Sequence, residues 1–143
     1  RELVRSRGLG DVYKRQLEEI AERLKFSHVL VNRVLCLRSR GSKATHTIAR
    51  IHGLPRVWQK ALAVKAHYVV EVISERYDGL TQDEKERVII HELLHVPKSF
   101  QGGFRHHKGW ITSKRITELH QTLTTRRRAV PTVSGMISDS ESS

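Results

Sequence analysis

The run His91-Glu92-Leu93-Leu94-His95 constrains this chain more than any other feature. It lies in an apolar, helix-like stretch. On a helix, residues four apart share one face, so both imidazoles can reach one metal ion. Glu92 follows the first imidazole and projects beside such an ion, placed to take a proton from a metal-held water. The pattern supplies two ligands and a base, and its leading reading is metal-assisted peptide hydrolysis. With 9 His in 143 residues, a chance pair on an exposed helix face is the bland alternative. Context argues against it. Thr81-Gln82-Asp83-Glu84 has the form of a capping box, and Pro97 limits continuation of the helix. Between them Val88, Ile89, Ile90, Leu93 and Leu94 give a broad apolar surface. Two His and a Glu on a largely buried helix are costly unless something satisfies them.

A catalytic zinc site normally takes three protein ligands and leaves one position for water. Two sources offer the third. His106 and His107 lie in the glycine-rich stretch Gly102 to Gly109, and either gives an all-histidine site. Glu118, on the next helical segment, gives a two-His, one-Glu site. Spacing admits both. Ile116, Leu119 and Leu123 mark the buried stripe of that last helix, and Glu118 beside it reads more simply as a solvated charge.

The stretch from His91 to Gly109 resembles the phage and archaeal metallopeptidase domain, a relative of the SprT-like zinc peptidases. The shared pattern is His-Glu-Leu-x-His, then Pro97-x-x-Phe100, the Gly102-Gly103 turn, and a basic residue before a His near Gly109. Ala49 to Pro55, Trp58-Gln59 and Tyr77-Asp78-Gly79-Leu80 resemble it further, so the likeness runs from about Val34 to Leu123. It implies a zincin-like fold, one Zn²⁺ held by His91, His95 and His107, and Glu92 as the catalytic base. His106 stands where the family commonly has Pro, and the choice between the adjacent histidines stays open. The implied substrate is a protein or peptide. Tyr77 and Arg105 are candidates for a second oxyanion donor, though each is more often structural or solvated.

Val12-Tyr13-Lys14-Arg15-Gln16 is what the end of a tagmentation sequencing adapter encodes in frame, and residues 1–16 read as an adapter-derived segment. That segment holds five cations against two acids. Of the formal net charge of +11, it accounts for +3 and leaves +8 on the remainder. The remainder still favours polyanions, and association with DNA or nucleoprotein is compatible with it. No aromatic residues interleave with the cations at stacking spacing. The single Cys36, in Val34-Leu35-Cys36-Leu37, excludes an internal disulfide and reads as a buried strand residue. No stretch approaches the roughly 18 apolar residues that span a membrane. A cytoplasmic monomer is expected.

The fold expected is α+β, a small, mostly antiparallel sheet packed against helices, with an active-site metal helix. One domain covers 17–125 and a disordered tail covers 126–143. Leu17, Ile20, Ala21 and Leu24 predict a first helix over 17–25. Strands are predicted at 34–39, 45–52 and 67–74, with a short helical turn at 55–62. The metal helix spans 82–96 and the last helix 113–125. Strand 67–74 is the proposed edge to which an extended substrate adds. The competing classes are a zinc-stabilised or inactive binding module on DNA-associated protein, with a closed four-ligand site, and a metal-free basic adaptor for nucleic acid.

Overall fold

A computed structural model describes the backbone of residues 1–6, 12–103 and 111–142, and their side chains except at 6 and 130–142. The elements in chain order are β1 (Glu2–Ser6), α1 (Val12–Arg23), β2 (Val34–Arg40), β3 (Ala49–Gly53), α2 (Arg56–Leu62), β4 (Tyr68–Ile73), α3 (Ser74–Tyr77), α4 (Gln82–Leu94) and α5 (Ser113–Ser142). The architecture is α+β. The four strands form one sheet in the order β1-β2-β4-β3. The outer pairs are antiparallel, but β2 and β4 run parallel, so the sheet is mixed rather than mostly antiparallel. The cause is the path between β2 and β4. It passes through β3 and α2, and a crossover of that length returns the chain in its original direction.

Strand alternation places Tyr68, Val70 and Val72 of β4 with Val34 and Cys36 of β2 in the hydrophobic core. The same core takes Leu17, Ile20 and Ala21 from α1, Ile89, Ile90, Leu93 and Leu94 from α4, and Leu123 from α5. Cys36 is free and buried, as its apolar setting predicts. β4 has ladder partners on both sides, β2 and β3. It therefore has no open edge, and the substrate-edge role expected of 67–74 does not hold for it. The edge strand on that side is β3.

Two ends of the chain carry more ordered contacts than the sequence suggests. α1 begins at Val12, and Tyr13 is fully buried with its hydroxyl donating to the Val70 carbonyl at 2.7 Å. β1 pairs with β2 from Glu2 to Ser6. At the other end, α5 runs on past Thr125. Arg127 reaches back to Glu19 of α1 at 2.6 Å and also bonds Glu86 of α4, which holds that part of the helix against the core.

Candidate metal centre and active-site cleft

α4 starts as its sequence requires. Thr81 Oγ1 accepts from the Glu84 amide at 3.2 Å and Glu84 Oε1 accepts from the Thr81 amide at 2.9 Å, closing a capping box. The helix ends with His95 as its C-cap, two residues before Pro97. Ile89, Ile90, Leu93 and Leu94 are buried, which fixes the rotation of the helix about its axis. His91 and His95 then fall at the margin of the buried face, both half-buried, with ring centroids 5.2 Å apart and ring planes tilted by 52°.

This spacing can be tested against a metal ion. With a Zn–N distance of about 2.0–2.1 Å, an imidazole centroid stands about 3.2 Å from the ion, and a tetrahedral angle sets two such centroids about 5.2 Å apart. The observed pair fits that value, and the donor set suits zinc. Glu92, between the two histidines in sequence, is 8% exposed. Burial pushes its carboxyl up to about 7, with no donor or cation among the described residues to offset it. A buried carboxyl tuned near neutrality, next in sequence to a half-buried histidine, has the chemistry of a proton acceptor.

His91 and Glu92 line a cleft of about 400 Å³. Its other walls are His46 to Ala49, leading into β3, Arg87 and Val88 of α4, and Ile116 of α5. The edge strand β3 thus emerges from the same cleft. Tyr77 is not there. It lies buried in the core, 5.8 Å from the Tyr13 ring, and burial raises its hydroxyl pKa. It is therefore no donor to a substrate oxyanion.

The segment after α4 is pinned. Phe100 is buried against Tyr68 with centroids 4.8 Å apart. The Tyr68 hydroxyl accepts from the Gly102 amide at 2.9 Å and donates to the Gly103 carbonyl at 2.8 Å. Gly102 has φ +105°, and a Cβ there would stand 2.6 Å from the Leu54 carbonyl oxygen. Only glycine fits both conditions. His106, His107 and Arg105 lie outside the described residues. Glu118 is exposed on α5. Among the described residues, no trio of ligand atoms within 4.8 Å of one another joins Glu118 to His91 and His95.

The one trio of that kind among the described residues is Asp83, Glu86 and His120, a grouping that the motif pattern does not announce. A weaker signal for it exists: His120 is four residues after Ile116 and three before Leu123, on the buried stripe. His120 Nε2 is 2.9 Å from Glu86 Oε1, and the other Glu86 oxygen takes Arg127 and, at 3.2 Å, Gln82. Burial alone would raise the Glu86 pKa, but these three hydrogen bonds outweigh it and hold the carboxyl below its usual range. A carboxylate already matched by a guanidinium is a structural tie between α4 and α5 more than a cation site.

Among the described residues no helix is long and apolar enough to cross a membrane. No curated protein and no solved structure matches the chain. Residues 11–123 match the family model described as "Putative phage metallopeptidase", so the chain belongs to that family, whose name implies a metal ion and a protein or peptide substrate.

Proposed function

We propose that this protein is a zinc-dependent peptidase in which His91, His95 and His107 hold one Zn²⁺ and Glu92 is the catalytic base. The observation that carries the reading is the 5.2 Å separation of the His91 and His95 rings beside a desolvated Glu92. His107 is chosen over Glu118 because Glu118 is exposed and outside ligand range of the pair, and over His106 by the family pattern. When bound, the ion supplies a Lewis acid and lowers the pKa of a water it holds towards about 7.

The chain's own residues do the rest. The cleft wall from His46 to Ala49 lets an extended peptide lie along β3, with its scissile carbonyl over His91. A Glu92 carboxylate oxygen takes the proton from the attacking water and returns it to the leaving amine nitrogen. The buried position of Glu92 keeps bulk water from competing for that proton.

The catalytic unit in this proposal is 17–125, acting as a cytoplasmic monomer, with residues 1–16 adapter-derived and 126–143 a tail. Association with DNA-bound protein rests only on the basic charge. Glu92→Gln is the decisive variant. It should retain one zinc per chain by metal analysis while peptide turnover falls at least about 100-fold. Turnover that survives the substitution removes Glu92 from the chemistry. A zinc sphere closed by four protein ligands would instead favour a binding module.

A further inference from the structure

One wall of the cleft carries a cation. Arg87 stands one helical turn before His91 on α4 and lines the same cleft. Its Nη1 donates to Thr117 Oγ1 of α5 at 3.2 Å, a neutral contact that steadies the side chain without satisfying its charge. The acids nearest on its own helix are engaged elsewhere. Asp83 is turned to His120, 3.8 Å away, and Glu84 closes the capping box with Thr81. Among the described residues no carboxylate lies within ion-pairing distance of Arg87. The opposite wall offers none either, because the chain has no Asp or Glu between Glu22 and Glu71. That span includes the cleft residues His46 and Thr47 and all of β3.

We propose that the cleft selects polypeptides carrying Asp or Glu within about two residues of the scissile bond, and that Arg87 reads that carboxylate. Four helical residues rise about 6 Å, which an extended peptide covers in about two residues. The guanidinium fork matches a carboxylate with two parallel hydrogen bonds, which a lysine or a neutral side chain in the substrate cannot accept. The proposal names the substrate class of the peptidase site and rests on that reading.

The experiment separates the two. Matched peptides, differing only by Glu or Lys at the flanking position, are bound to the zinc-loaded Glu92→Gln chain by fluorescence anisotropy. They are also offered to the unsubstituted chain for cleavage. The Glu peptide should bind about threefold to tenfold tighter at low salt, with the ratio shrinking as salt rises. Arg87→Gln should bring the ratio to one and Arg87→Glu should invert it, with cleavage showing the change in KM rather than kcat. Arg128→Glu changes the net charge equally from an exposed position outside the cleft and should leave the ratio alone. Equal binding of the two peptides overturns the inference whatever the turnover. So does an Arg128→Glu effect as large as that of Arg87→Glu. If the peptides discriminate in binding but neither is cut, the peptidase reading fails and the Arg87 subsite stands. If both are cut without discrimination, only the subsite fails.

Discussion

Two buried carboxylates on one helix have opposite fates. Glu86 and Glu92 are 1% and 8% exposed, six residues apart on α4, and each has histidine close by. Glu86 is closed in by Arg127, Gln82 and His120, and its pKa is held down. Glu92 meets burial alone, and its pKa rises to about 7. Proximity of acid and imidazole is thus common to both ends of the helix and does not tell them apart. What separates a structural tie from a reactive group is whether burial has been compensated. The uncompensated end is the one where the His91 and His95 rings stand 5.2 Å apart, the spacing that the proposed zinc site needs.

Metal binding gives the largest test of that contrast. His91→Ala or His95→Ala should lower zinc affinity by at least about 100-fold, since each deletes one of the three proposed ligands. His120→Ala should leave one zinc per chain and cost stability instead. Competition with a chromogenic chelator reads both. If zinc is lost with His120 and kept without His91, the roles of the two ends are exchanged, and the peptidase reading goes with them.

The raised Glu92 pKa also makes a prediction about stability in the metal-free protein. The folded value, about 7, lies above the ordinary 4.5, so between those pH values the folded chain binds more protons than the unfolded chain. The stability this group contributes is therefore whole below about 4.5 and is lost as pH rises through about 7. The loss is about 3.5 kcal/mol at most, at about 1.4 kcal/mol per unit. Glu92→Gln, neutral throughout, should flatten this limb and leave the metal-free protein more stable than the parent at pH 7.5. Urea unfolding in the presence of a chelator measures it. An unchanged slope would mean that Glu92 is compensated after all.

The features that local rules govern are legible in the sequence alone. Thr81, Glu84 and Pro97 bound α4 within two residues of its observed ends, and the His91–His95 spacing follows from the helix period. Features that depend on partners distant in sequence are not legible in the same way. The parallel pairing of β2 with β4 is decided by the route through β3 and α2. The interior place of β4 has a usable signal, since Tyr68-Val69-Val70 and Val72-Ile73 leave little of the polar alternation expected of an edge. The continuation of α5 through Arg127 depends on Glu19 and Glu86, 108 and 41 residues away.

The compensated end supplies the smallest effect and the mirror image of the Glu92 limb. Arg127 bonds both Glu86 and Glu19, and its hydrogen bond is the largest cause of the lowered Glu19 pKa. At Glu86 burial is the larger influence and opposes the shift, yet Arg127 with Gln82 and His120 prevails. Both carboxyls are thus depressed below 4.5, and the stability they contribute is present above that value and lost as pH falls through their folded values. Arg127→Gln removes the shared cation. Because Arg127 and Glu19 are about one-third exposed, solvent screens part of the interaction, and a loss of about 1–2 kcal/mol at pH 7 is expected. The gap between variant and parent should close as pH drops towards 3, since protonated carboxyls no longer need the guanidinium. Melting curves of the two proteins that stay parallel from pH 7 to 3 would show that Arg127 acts through packing and not through charge. The contrast with Glu92 would then rest on the His91–His95 end alone.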